Sequence, residues 1–151
     1  MANFSLFAIP VYWLLCLLPH SYAVLIMQMA TNWRWDNSNP RSSKWDATMR
    51  ESTPAEVYAR YERAEAAHKN GMESLPIFVG AVLAGNISNL DSSDLNNFVV
   101  AYLCLRVVYT VVYISVSSPL LSIFRDAIWI VSSSMCSNIF FRGGYALARR
   151  S

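Results

Sequence analysis

The stretch EAAHKNGMESLPIF, Glu65–Phe78, begins as a charged helix and ends as an apolar one. Gly71 is a weak break within it, and no turn signal separates the halves. One helix therefore carries Asn70 and Glu73 to the edge of an apolar segment, where a carboxylate is costly. Upstream, Thr53-Pro54-Ala55-Glu56 reads as a capping box, with Thr53 as N-cap, Pro54 at N1 and Glu56 at N3. A helix from Pro54 to Ala84 would be roughly 45 Å long, against a hydrocarbon core of about 30 Å. Its first third is expected to project into water, with the polar–apolar boundary near Asn70 and a kink at Pro76.

On either side of this helix lie three longer apolar runs, from about Phe4 to Ala30, Leu95 to Val116 and Leu120 to Phe141. Each reaches the roughly 20 residues a helix needs to cross a bilayer. The chain reads as one all-α integral membrane domain over residues 1–151, an antiparallel bundle with spans at about 4–30, 70–85, 95–117 and 120–141. Composition agrees: of 151 residues, 54% are hydrophobic and 15% charged, far from the balance of a soluble domain. The first run lacks a basic leader and is long for a signal peptide, so it reads as a retained span. Thr31 to Ser52 reads as a polar loop, turn-rich at Asn37-Ser38-Asn39-Pro40. Cys16, Cys104 and Cys136 are widely spaced in apolar runs, which suits three small buried hydrophobes rather than disulfides or a metal site.

Charge sets the orientation. The net charge of +2 gives no argument for nucleic acid. Arg34, Arg41, Lys44, Arg50, Arg60, Arg63 and Lys69 lie between the first two spans, whereas the Asn86–Asp94 connection has only Asp91 and Asp94. The positive-inside rule places the first loop in the cytosol and both termini outside. Arg142, Arg149 and Arg150 argue the other way, but are fewer. Two sequons, Asn3-Phe4-Ser5 and Asn86-Ile87-Ser88, fall on the outer side, and Trp33 and Trp35 sit where an interfacial aromatic belt belongs.

Polar groups inside such a bundle are expensive and usually functional. Arg63, Ala66, Asn70 and Glu73 share one face of the second span by helical spacing, and Tyr102, Arg106, Tyr109 and Tyr113 form a stripe on the third. Arg125 and Asp126 open the fourth. In this topology Arg34, Asn70, Glu73, Tyr113 and Arg125 are expected at one depth in the cytosolic leaflet. Arg106 lies deeper and needs an anionic or carbonyl partner, with Glu73 as the candidate. Arg34 also reads as a snorkelling anchor, the tyrosines as packing residues, and Arg125–Asp126 as a local ion pair. His20 reads as a bond between helices, and Ser132, Ser133, Ser134 and Asn138 as interhelical hydrogen-bonding groups. Arg, Asn and Tyr donors with a Glu acceptor suit a small zwitterion with carboxylates and an amine, presented beside lipid. There is no HExxH, nucleophile elbow, P-loop or GxGxxG.

The block RAEAAHKNGMESLP, with NPR in the preceding loop and FRDAIW after the third span, resembles the MAPEG family, the membrane-associated proteins in eicosanoid and glutathione metabolism. The likeness covers nearly the whole chain. It implies a left-handed four-helix bundle assembled as a homotrimer, with glutathione as cofactor between adjacent subunits near the cytosolic side. Carried over, Asn70, Glu73, Arg63, Tyr109 and Tyr113 match glutathione contacts, Arg106 a buried arginine, and Arg34 a first-helix arginine. Arg125 matches the residue that activates the thiol. Ala66 stands where catalytic members have a second arginine, and Asp126 where they often have serine. The resemblance implies a glutathione transferase or peroxidase acting on a lipophilic substrate in the endoplasmic reticulum or another endomembrane. A biosynthetic isomerase or epoxide-handling enzyme, and a non-catalytic lipid-binding scaffold, are the alternatives.

Overall fold

The computed structural model describes residues 1–33, 38–40 and 42–150, with the backbone alone at 119–121. Among the described residues it is all-helical. A short 3-10 turn, Ser5–Phe7, leads into α1, Ala8–Ala30; then follow α2, Ser43–Ser52, α3, Ala55–Ile87, α4, Ser92–Ser115, and α5, Pro119–Ala148. The four long helices are those expected.

Two of them, Ser5–Ala30 with its leading turn and Ser92–Ser115, are long and apolar enough to cross a membrane. The other two carry more polar groups. In α3 the charged first half precedes an apolar stretch of only about three turns, and α5 mixes Arg125, Asp126 and a run of serines into its apolar sequence.

The 33 residues of α3 make a helix of about 50 Å. It runs unbroken through Gly71 and Pro76 and is the axis of the bundle: α1 packs along it most extensively, and α4 and α5 each pack against it. The reason is local. Ala64, Ala67, Gly71, Ala81 and Gly85 put small residues on its buried stripe, so neighbouring backbones come close. A Cβ added at Gly71 would lie 2.9 Å from Cys16 Sγ of α1, so this glycine lets the two helices come close and is not a break. Above it, Tyr12, Phe78, Phe98 and Tyr102 join α1, α3 and α4 into an aromatic core, with Phe78 stacked on Tyr102 at 4.3 Å.

Four local expectations are corrected. The Thr31–Ser52 segment contains helix α2, capped by Ser42 Oγ, which accepts from the Trp45 amide at 3.1 Å. Its Trp45 and Met49, four residues apart, make the apolar face that seats it on Met27 and Tyr58. The capping box does not form: Thr53 ends α2, donating its hydroxyl to the Met49 carbonyl at 2.8 Å, and Pro54 takes the N-cap position of α3 without a side-chain bond. Ser132 bonds within its own helix, to the Trp129 carbonyl at 3.0 Å, as Ser137 does to Ser133, instead of across to a neighbour. Cys104 is exposed, unlike buried Cys16 and Cys136; all three are free.

Tyr58 donates to Asp46 at 2.9 Å and so ties α3 to α2. Burial, and then this bond to a carboxylate, push its hydroxyl up to about 12. Burial and nearby Glu65 do the same for Tyr61, also to about 12.

The opposite end of the bundle is closed by polar pairs. Asn3 donates to Asn86 at 2.8 Å, Asn86 donates to Ser5 Oγ and to the Val82 carbonyl, and Asn96 binds the backbone of both Ala2 and Phe4. The two sequon asparagines thus hold each other. Asn89, with φ of 53°, turns the chain out of α3 while Leu90 donates back to the Gly85 carbonyl. Arg142 pairs with Asp94, and Arg150 donates to the Ser88 carbonyl at 2.7 Å. These two C-terminal cations are engaged with the acidic α3–α4 turn.

Candidate functional site

Helix α3 presents Arg63, Asn70 and Glu73 just beside its buried stripe. Arg63 donates from Nε to the Ile114 carbonyl at 3.0 Å, so it caps the last turn of α4, where carbonyls lack intrahelical donors. Asn70 is half-buried and its Oδ1 accepts from Arg106 Nη2 at 2.7 Å. Glu73 is exposed, with no hydrogen bond or ion pair to any described residue. The expected partner of Arg106 is therefore corrected: Asn70, one turn earlier on α3, takes that place.

From Arg106 the contacts continue along α4 into α5. Its guanidinium lies 4.6 Å from the ring centroid of Tyr109 and 5.8 Å from that of Tyr12. Tyr109 meets Tyr113 edge to face at 5.6 Å. Arg125 of α5 covers the Tyr113 ring at 4.5 Å and gives Nε and Nη2 to one oxygen of Asp126, at 3.1 and 3.0 Å. Asn70, Arg106, Tyr109, Tyr113 and Arg125 thus form one seam across α3, α4 and α5. It exists because Arg106, Tyr109 and Tyr113 lie on one face of α4, at i, i+3 and i+7. Arg63, reaching Ile114, adjoins its far end. Glu73 is on the same face of α3 but outside the seam, and Arg34 lies outside the described residues.

Two further polar contacts join α1 to α3. His20 Nδ1 lies 2.6 Å from Glu65 Oε1, and His68 donates from Nδ1 to the Cys16 carbonyl at 2.8 Å. The two imidazoles are 5.1 Å apart. His20 is the interhelical bonder its sequence setting suggests, but Glu65 as its mate was not readable. The pairing depends on where α1 crosses α3, and Gly71 was the available clue to that crossing. Tyr12 was likewise missed. It is one of several aromatics in an apolar run, and only its placement beneath Arg106, with its hydroxyl 3.3 Å from the Gly71 carbonyl, distinguishes it.

Chemically, the seam offers one fully enclosed guanidinium, Arg106, and one that is partly open, Arg125. Arg125 is already hydrogen-bonded to a largely exposed carboxylate. Among the described residues there is no cluster of His, Cys, Asp or Glu able to hold a metal ion. No curated protein and no solved structure matches the chain. The profile of the MAPEG family matches residues 6–145, nearly the whole length, and reaches into every element just described. The chain belongs to the MAPEG family.

Proposed function

We propose that this chain is a four-span integral membrane enzyme of the endomembrane system that uses glutathione against lipophilic electrophiles, as a transferase or peroxidase. It would act as a homotrimer with the tripeptide between protomers, and residues 1–151 form one domain. Family membership supports the glutathione-related setting. The observation that carries the reading is Glu73: an exposed carboxylate with no partner among the described residues, at the start of an apolar stretch and beside the Asn70–Arg125 seam. A lipid-facing carboxylate is expensive, whereas the amine of a zwitterionic peptide would satisfy it. The donor set fits glutathione, whose two carboxylates suit Arg, Asn and Tyr donors.

Glutathione would supply the thiol, whose thiolate is the nucleophile towards an electrophilic carbon or the reductant of a peroxide. Glu73 would hold the amine. Asn70, kept in one amide orientation by Arg106, would donate its NH2 group to a carboxylate. Tyr109 and Tyr113 would fix the peptide against α4, and Arg63 would hold the end of α4 in place through Ile114. Arg34, which follows α1 in the sequence, would contribute a further cation, as the family resemblance implies. Arg125 would favour the thiolate over the thiol, the released proton leaving to solvent; each tenfold gain in thiolate fraction corresponds to about 1.4 kcal/mol.

Calorimetry of glutathione binding to the detergent-purified chain tests the site. Binding that Glu73→Gln leaves unchanged removes the assignment. Thiolate absorbance on adding glutathione, compared between wild type and Arg125→Ala, tests activation; identical spectra take Arg125 out of the chemistry.

The Arg125–Asp126 pair favours a second reading. A carboxylate bonded to the activating guanidinium offsets its field, which suits an isomerase or epoxide-handling enzyme on one hydrophobic metabolite, or a non-catalytic lipid-binding member. Retained trimers that bind no glutathione would select the last of these.

A further inference from the structure

The contact between α1 and α3 holds a second set of titratable groups, which the glutathione reading leaves unused. His20 Nδ1 meets Glu65 Oε1 at 2.6 Å, and His68 Nδ1 donates to the Cys16 carbonyl at 2.8 Å. A carboxylate and a carbonyl only accept, so in each neutral ring Nδ1 carries the proton and Nε2 is the basic nitrogen. Neither Nε2 is hydrogen-bonded among the described residues. Glu65, His68, Lys69 and Met72 share one face of α3, at i, i+3, i+4 and i+7. With Ala66 they line a groove of about 480 Å³. Glu65 and His68 are half-buried and Lys69 is exposed. The groove thus brings together a base, a carboxylate, a cation and an apolar floor of Ala66 and Met72, with no hydroxyl or thiol side chain on its lining. It lies where α3 passes from its charged half into its apolar one, within reach of both water and lipid.

We propose that this groove is an acid–base site that shifts the double bond of a lipophilic β,γ-unsaturated ketone into conjugation, without glutathione. His68 is the catalytic residue. Its Nε2 takes a proton from the carbon between the carbonyl and the double bond. The electrons of that C–H bond pass into a dienolate, whose oxygen faces the Lys69 ammonium. The same Nε2 then returns the proton to the γ carbon. A C–H bond forms there, the double bond ends beside the carbonyl, and no oxidant or co-reactant is consumed. Glu65 gives the transient imidazolium its counter-charge, and His20 is the positioning residue that holds Glu65 from α1. The proposal rests on the isomerase reading above for its kind of reaction. It uses none of Asn70, Glu73, Arg106, Tyr109, Tyr113 or Arg125.

The test is conversion of a dodecyl β,γ-unsaturated ketone by the full-length chain in detergent, followed by the ultraviolet absorbance of the conjugated product. Without glutathione, conversion should exceed the detergent blank by at least about a hundredfold, the lower end for one general base. His68→Asn keeps a donor for the Cys16 carbonyl but removes the base, and should lower the rate about a hundredfold. Lys69→Met should cost about as much, as loss of the group facing the oxyanion. Glu65→Gln keeps a bond to His20 but loses the charge. It should lower kcat with KM unchanged, a split that mere loosening of α1 would not give. Circular dichroism reports whether each variant is folded; if His68→Asn is not, Lys69→Met, at an exposed position, decides. A rate that appears only with glutathione present keeps the isomerase reading and overturns this site. A wild-type rate equal to the blank, or one indifferent to both His68→Asn and Lys69→Met, also overturns it.

Discussion

The two ends of this bundle handle polar groups in opposite ways. At the end where α3 turns into α4, Asn3, Asn86, Asn96, Asp94, Arg142 and Arg150 are all paired within the chain. Towards the other end, Asn70, Arg106, Tyr109, Tyr113 and Arg125 are joined in a seam, yet among the described residues Glu73 has no partner and Arg106 no counter-charge. Polar groups cost free energy when buried unless they are satisfied. An end that satisfies them internally is a structural closure. An end that leaves them short is where the proposed glutathione would complete the set.

Substitutions at the two ends should therefore separate stability from binding. Glu73→Gln carries the largest expected effect. Glutathione affinity should fall by about tenfold to a hundredfold, the range of a lost charge-assisted bond, while stability changes by no more than about 0.5 kcal/mol, as for an unpaired surface group. Calorimetry and reversible unfolding in detergent mixtures read the two quantities separately, and a large stability loss would erase the contrast. Asn86→Ala is the mirror experiment. It removes bonds to Asn3, Ser5 and Val82, so stability should drop by about 1–3 kcal/mol with glutathione affinity unmoved. A fall in affinity would show that the closed end also serves the site.

Gly71→Val tests whether the ends communicate through the α1–α3 contact. The new Cβ meets Cys16 Sγ, and overpacking of this kind costs about 1–3 kcal/mol. Both stability and glutathione affinity should fall, because Asn70 adjoins the displaced turn. The docking of α2 gives a pH-dependent effect. The Tyr58 and Tyr61 hydroxyls are raised from their ordinary 10 to about 12. The folded state holds these protons more tightly, so its stability is fully present below pH 10 and is lost as pH rises through about 12. Near-ultraviolet circular dichroism and phenolate absorbance should report this alkaline transition together, and replacing both tyrosines by phenylalanine should remove it. Smallest is Arg142→Ala: a half-exposed pair with Asp94 contributes under about 1 kcal/mol, and less in high salt.

Much of this was legible in residue order. The four long helices follow from apolar runs and from the charged approach to Asn70, and the α4 stripe follows from the spacing of Arg106, Tyr109 and Tyr113. The α2 helix was not, because its apolar face consists of two residues in a polar segment and gains meaning only against Met27 and Tyr58. Thr53 shows the same limit from the other side. Its capping pattern is complete in sequence, yet its hydroxyl is taken by Met49 because a helix precedes it.

The sequence by itself determined the helical periods, the family and the residue types available for binding, since these depend on neighbours within a few turns. Pairing was decided only in three dimensions. Arg106 meets Asn70 instead of Glu73, His20 meets Glu65, and Arg125 lies on Tyr113, because small residues on α3 set how closely and at what height its neighbours cross. Crossing heights are collective results of packing along whole helices, and no local spacing encodes them.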